Sequence, residues 1–441
     1  MDIPKTVQTV LKTLEAAGHE AWCVGGCVRD SFLGCVPEDW DVTTDALPEE
    51  VLEVFGTCAF PTGLKHGTVT VKTAGGPVEV TTYRMDGVYL DHRRPETVTF
   101  TRSIEEDLAR RDFTVNAMAA DLRGGLQDPF GGRADLTKGI LRCVGEPDRR
   151  FQEDALRILR GMRFSAALGF AIEEETSAAI HRNRELLSAI AVERIQAEFF
   201  KLLKGKRAAE VLREYPDVLG VFWPEILPMV GFNQQNRHHC YDVWEHTLHA
   251  LAEVPGDLIL RCTLLLHDIG KPKCFSIDGY GNGHFYGHPA VSRELADEML
   301  RRLKCETAFR ETVVLLVDWH DRLITRTHKG LRRTLRGLGE ENLRRLLAVK
   351  RADNLAQAPE FWSRQQELDQ AERILEEVLE QEACFSLKQL AVRGGDLVAM
   401  GLSGPAIGRM LNCLLDHVVD GELPNEREAL LKFAEGILPE M

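Results

Sequence analysis

The chain has 441 residues, 44% of them hydrophobic, enough for about three domains of ordinary size with a core each. No apolar run approaches the ~20 residues of a membrane span and the N-terminus lacks a signal-peptide pattern, so a soluble cytoplasmic protein is expected. A net charge of −14, from 54 basic and 68 acidic residues, argues against indiscriminate nucleic-acid binding, and eleven cysteines without CxxC pairs read as reduced thiols rather than a disulfide frame or zinc site.

Val7, Val10, Leu11 and Leu14 follow helical spacing, and Ala21 to Val24 read as a short apolar strand ending in Gly25-Gly26. The order is strand, glycine turn, helix start. Glycines let backbone N–H groups approach a phosphate, the helix start adds its positive dipole end, and Arg29 supplies a fork of donors. Gly26 and Arg29 are therefore candidate nucleotide-binding residues, and Cys23 and Cys27 beside them are expected to be packing.

Asp39 and Asp41 follow, in VGGCVRDSFLGCVPEDWDVTTD. Side chains at i and i+2 of an extended segment project together, so two negative charges are held close and call for a cation. Carboxylate oxygens are hard ligands suited to Mg²⁺, which usually keeps waters and binds substrate phosphates. A nucleoside triphosphate is the expected substrate; the competing reading is a tight turn and a surface acidic pair, since neither Gly-Gly nor DxD is specific alone. Next, VTVKTAGGPVEV reads as a hairpin, with Val78 and Val80 on one face and Glu79 on the other, either as a third acidic group or on a solvated face.

EDALRILRGMR at 153–163 reads as a helix. Cytosine and adenine both show an amino donor beside a ring-nitrogen acceptor, whereas guanine and uracil show a carbonyl and a ring N–H. Asp154 can accept from the amino group while Arg157, three residues on and so on the same helix face, donates to the ring nitrogen. Guanine or uracil would leave desolvated groups unpaired, which is strong rejection. The alternative is a helix carrying surface ion pairs.

GGCVRD followed by DWD resembles the signature of the nucleotidyltransferase superfamily, in particular bacterial tRNA nucleotidyltransferases and poly(A) polymerases. Positions 84–118 are similar to the flexible loop and RRDFTxNA motif of the class II CCA-adding enzymes, and EDALRILRGMR to their nucleotide-selecting helix. The resemblance is close over roughly 1–205. It implies that Arg111, Arg160 and Arg163 join the nucleotide site. It implies template-independent addition of CCA to the tRNA 3′ end from CTP and ATP, with pyrophosphate released, tRNA as partner and no protein partner. Partial (A-only or CC-only) addition and poly(A) synthesis share the head motifs. The loop residues Arg84, Asp86, Tyr89, Asp91, Arg93 and Arg94 look like the element that CC-only enzymes lack, which favours full CCA.

From about 141 the pattern is helical. KLLKGKR at 201–207, and Lys329, Arg332, Arg333, Arg336, Arg344, Arg345, Lys350 and Arg351, form either an RNA track or solvated helix faces. After RHHCYDVWEHTLHAL, residues His246, His267 and Asp268 of LLLHDIGKP, and Asp353 of KRADN, resemble the four ligands of an HD phosphohydrolase domain, with His288 and His320 as ligands of a second metal. This ligand chemistry suits Mn, Fe, Ni, Zn or Mg without choosing among them. A metal there could generate hydroxide for hydrolysis of RNA ends or nucleotides; a scaffold role is the alternative. Beyond 360 a charged helix precedes a tail with a helix start at Gly404-Pro405, where a backbone phosphate could bind.

The expected fold class is α+β: a nucleotidyltransferase head with a mixed sheet at 1–140, a helical neck at 141–225, an HD-type helical domain at 226–360 and a helical tail at 361–441. Two different classes remain open: an HD phosphohydrolase whose head only binds nucleotide or RNA, and a non-catalytic RNA-binding regulator.

Overall fold

A computed structural model of the chain describes residues 1–87, 98–380 and 386–437. Tyr89, Asp91, Arg93 and Arg94 lie outside the described residues. The chain forms two compact units, Met1–Leu227 with Arg302–Lys304, and Pro228–Arg301 with Cys305–Met441.

The first unit is built on a mixed sheet of β1 (Ala21–Val24), β2 (Asp41–Thr44), β3 (Ala59–Gly63), β4 (Thr68–Thr73), β5 (Gly76–Thr82), β6 (Ala119–Ala120) and β7 (Leu126–Gln127), in the order β3-β4-β5-β2-β1-β6-β7. β2 and β5 run parallel and the other pairs antiparallel. The expected hairpin is β4–β5, with Val78 and Val80 buried on one face and Glu79 exposed on the other, the alternation of a half-covered strand. Helix α1 (Lys5–Ala16) buries Val7, Val10, Leu11 and Leu14. Helix α2 (Gly26–Phe32) leaves directly from the end of β1, so the strand–turn–helix reading holds.

The rest of the unit is mainly helical. Helix α3 (Leu156–Leu168) packs against α4 (Val192–Leu203). Gly161 of α3 makes room for Phe113, because a Cβ there would stand 3.1 Å from that ring. The 153–163 segment is not one helix, however. A helix ends at Glu153, Asp154 is extended (φ −136°, ψ 102°), and α3 begins at Leu156. The cause is local: Asp154 Oδ1 accepts a hydrogen bond from Leu156 N–H at 3.1 Å, and short acidic side chains that bond the backbone two residues on break helices and favour their starts.

Among its described residues the second unit is helical apart from a two-stranded hairpin at Ser276–Ile277 and Gly283–His284. Helices α5 (Val243–Ala252), α6 (Leu258–Leu266), α7 (Thr307–Trp319) and α8 (Glu340–Leu355) surround apolar cores that include Leu264, Val349, Leu316 and Leu346. The charged helix spans Arg364–Glu380, and Gly404 caps a helix beginning at Pro405. Among the described residues no helix is long and apolar enough to cross a membrane.

Candidate active site and metal centre

One cavity of about 1,000 Å³ in the first unit is lined by Gly26, Arg29, Asp39, Asp41, Arg111, Asp154, Arg157, Arg160 and Arg163. Every nucleotide-site and catalytic residue assigned by sequence to the head and neck therefore lines a single space. The glycine turn is indispensable in a specific sense. Gly25 has φ +80°, and a Cβ on it would lie 2.9 Å from Arg111 Nη1, so only glycine permits both the left-handed backbone and the close guanidinium. Cys23 and Cys27 are buried as expected, and Cys27 also lines the cavity.

Asp41 pairs with Glu79 across the parallel β2–β5 ladder. Desolvation, with help from Glu79 and Asp39, pushes the Asp41 carboxyl above its ordinary range despite Arg111 nearby. A cation between hard oxygen donors would relieve that crowding, so the residues present fit a divalent metal. Glu79, which the sequence left open between a third acidic group and a solvated face, stands beside this pair.

Three guanidinium groups that line the cavity gather on one ring. Arg163, Arg29 and Arg160 lie 3.9, 5.2 and 5.4 Å from the centroid of Phe164, within cation–π range. Asp112 of RRDF accepts from Arg160 Nε and Nη2 at 2.8 and 2.7 Å and from Asn116 at 3.2 Å. Burial opposes ionisation of Asp112, but Arg160 outweighs it and holds the carboxyl down at about 2. Asp112, Asn116 and Phe164 were not assigned from sequence; Asp112 and Asn116 belong to the RRDFTxNA motif, and Phe164 directly follows the 153–163 segment. Alanine at Asp112 is expected to lower stability by about 3 kcal/mol, the scale of breaking a buried ion pair, and to weaken nucleotide binding; denaturant melts and nucleotide titration check both.

The selector pair differs from the expected arrangement. Asp154 precedes α3 and forms an ion pair with Arg194 at 3.3 Å, while Arg157 bonds to Glu153 at 2.8 Å and to the Arg110 carbonyl at 3.0 Å. They share the cavity, not one helix face. Among the basic residues, Lys201 lines the cavity. In the second unit Lys329 and Arg333 pair with Asp420, Arg344 with Glu340 and Glu376, Arg345 with Glu341, and Arg351 with Asp369 and Glu372. These charges form a mixed ionic surface, not a bare positive stripe.

The second unit assembles its own cluster. His246, His267 and Asp268 form one group of converging donor atoms, and Asp268, His288 and His320 another. Asp268 Oδ2 lies 3.4 and 3.1 Å from Nε2 of His246 and His267, and its Oδ1 lies 3.3 and 3.7 Å from Nε2 of His288 and His320. Asp353 Oδ1 is 2.9 Å from His246 Nε2. Each of the four imidazoles has Nδ1 against a backbone carbonyl, at Ala356, Leu264, Phe285 and Val317. A carbonyl only accepts, so each Nδ1 donates outward and each ring turns its Nε2 inward, the orientation that metal-ligating histidines adopt. The Nε2 atoms of His288 and His320 stand 3.2 Å apart, and the buried Nε2 of His267 has no hydrogen-bond partner. Burial disfavours charge on His267, yet Asp268 and Asp353 outweigh it and hold that imidazole up at about 10. Positive charge is wanted here, and the donor set, in which Asp268 belongs to both groups, fits divalent cations that these residues would hold.

Three family descriptions match the chain: "Poly A polymerase head domain" over 21–142, "Probable RNA and SrmB- binding site of polymerase A" over 169–217, and "tRNA nucleotidyltransferase domain 2 putative" over 288–434. The CCA-adding enzyme of Lactiplantibacillus plantarum is 34% identical over 433 residues, covering 98% of this chain and 95% of its own. That of Latilactobacillus sakei is 35% identical over 435 residues, covering 97% and 96%. Among solved structures, the Bacillus stearothermophilus CCA-adding enzyme in complex with CTP is similar with a TM-score of 0.76 at 30% identity, covering 100% of this chain and 99% of that one. Similarity of this extent runs through both units and through the motifs that line the cavity, and the chain belongs to the CCA-adding enzymes, a family of nucleotidyltransferases.

Proposed function

We propose that the protein adds CCA to the 3′ end of tRNA from CTP and ATP, without a template and with release of pyrophosphate. The observation that carries this reading is that the Asp39–Asp41 pair, the Gly25-Gly26 turn and the Asp154–Arg157 pair all line a single cavity. Asp39 and Asp41 would hold Mg²⁺, which supplies charge stabilisation for the entering and leaving oxygens. Gly26, Arg29, Arg111, Arg160 and Arg163 bind and orient the triphosphate so that its α-phosphate meets the RNA 3′-hydroxyl. Phosphoryl transfer of this kind is chiefly positioning and electrostatics.

Asp154 accepts from the amino group shared by cytosine and adenine, and Arg157 donates to the neighbouring ring nitrogen. Both side chains are already engaged, with Arg194 and Glu153, so an incoming base exchanges one set of polar partners for another and does not meet bare charges. The compartment of the proposal is the cytoplasm, and its division of labour is a head at 1–140, a neck at 141–225, an HD-type region at 226–360 and a tail at 361–441. The test is incubation with tRNA lacking its 3′ end, Mg²⁺, and each triphosphate singly or CTP with ATP, followed by end sequencing. CCA ends support the reading; a long A tract would indicate poly(A) synthesis, and an arrest after CC or A alone a partial enzyme.

A second activity, metal-dependent phosphoester hydrolysis on RNA ends or nucleotides, is favoured by the inward-facing Nε2 atoms around Asp268. The prediction is saturable Mn²⁺ binding by the full chain beyond the head site, read from the paramagnetic signal of free Mn²⁺. His267→Gln is expected to weaken it about a hundredfold, at least the scale of losing a residue that orients a ligand, with CCA addition retained. Unchanged Mn²⁺ binding would remove the second activity from consideration.

A further inference from the structure

Arg29 of α2 and Arg160 and Arg163 of α3 are each fastened along one edge. Arg29 Nη1 bonds to Asn116 Oδ1 at 2.6 Å, Arg160 to Asp112 at 2.8 and 2.7 Å, and Arg163 Nε lies 2.8 Å from a Glu198 carboxylate oxygen. A guanidinium held along one edge can still swing about it. The ring of Phe164 gives each of the three a second contact, with their central carbons 5.2, 5.4 and 3.9 Å from its centroid.

The chemistry of that ring matters for what the arginines can do. Burial and the neighbouring Arg160 and Arg29 loosen the proton of Arg163, against the pull of Glu198 and Asp112, so the three cations crowd one another. A further carboxylate among them would relieve the crowding but compete with phosphate for the same N–H groups. An aromatic face attracts cations through its quadrupole and carries no net charge, so the guanidiniums keep their remaining donors for an anion. The ring is itself fixed: Phe164 is buried and meets Phe113 edge to face, with centroids 5.9 Å apart and planes at 78°.

We infer that Phe164 is a positioning residue for the triphosphate: its π face holds Arg29, Arg160 and Arg163 ready for a polyphosphate chain without neutralising them. The inference rests on the reading of those arginines as the triphosphate site. It gives Phe164 no part in choosing the base, which falls to Asp154 and Arg157.

In the full chain Phe164 is replaced by its mono-, di- and trifluorinated analogues, which keep the ring's shape while withdrawing electron density from its face, and separately by Phe164→Leu. Binding of tripolyphosphate and of cytidine is followed by calorimetry with Mg²⁺ present, and CTP incorporation by primer extension. Tripolyphosphate affinity is expected to fall with each added fluorine, by about tenfold in the trifluorinated protein, the scale of one desolvated cation–π contact. The KM for CTP should rise in parallel, and Phe164→Leu should lose at least as much. Cytidine affinity and the preference for CTP and ATP over GTP and UTP should stay constant across the fluorine series. A flat fluorine series, even with Phe164→Leu impaired, would make the ring packing alone and overturn the inference, as would cytidine affinity falling as steeply as that of tripolyphosphate. A wild-type chain that binds no tripolyphosphate would overturn the triphosphate site and the inference with it.

Discussion

With Asp41 replaced by alanine, nucleotide incorporation into tRNA is expected to fall by about a thousandfold or more, at or beyond the scale of deleting one preorganised group that stabilises transition-state charge. Asp41 sits among like charges: Glu79 is its ladder neighbour, Asp39 is two residues away, and the cavity desolvates it. A cation bound there, as proposed, would relieve the electrostatic cost of holding the group in that state. Alanine removes the ligand while leaving the glycine turn and the arginines that hold phosphates, so tRNA and triphosphate affinities should change far less than turnover. Primer-extension rates beside filter binding separate the two; equal losses in both would mean that Asp41 supports the fold instead of the chemistry.

The second large effect is on fidelity. Asp154→Ala is expected to reduce discrimination of ATP and CTP against GTP and UTP by about a hundredfold or more, because rejection by unpaired buried polar groups is worth several powers of ten. Removing Asp154 also releases Arg194, whose Nη1 is buried without a hydrogen-bond partner. A free guanidinium at that spot would favour a carbonyl over an amino group, so the variant should accept guanine or uracil, not merely lose cytosine and adenine. Single-triphosphate incorporation measures this, and an unaltered base preference would move selection to other residues.

Local features of the fold were legible because they need only neighbours in sequence. The 3.6-residue spacing of Val7 to Leu14, the glycines between β1 and α2, and the alternation through Val78 and Val80 each appear where expected. What could not be read depended on side chains meeting across the chain. Asp154 leaves the helix because its own carboxylate captures the Leu156 N–H, a competition that periodicity does not register. Asp112 anchors Arg160 from 48 residues away, and no spacing rule reports a buried pair at that separation. The histidine-aspartate cluster lay between these cases: the HD doublet and its resemblance marked it, but only the fold shows each Nδ1 tied to a backbone carbonyl.

The ionic pairing of Arg333, Arg344, Arg345 and Arg351 bears on how any RNA would be held there. A bare basic surface binds RNA by releasing counterions, and its affinity drops steeply as salt rises, by nearly one power of the salt concentration per phosphate engaged. Arginines already neutralised by aspartate and glutamate must give up those carboxylates first, so the gain per phosphate is small. Salt weakens the displaced pair and the new contact alike. Recognition by that surface would then be nearly indifferent to ionic strength, with shape, not attraction at a distance, deciding which RNA is kept.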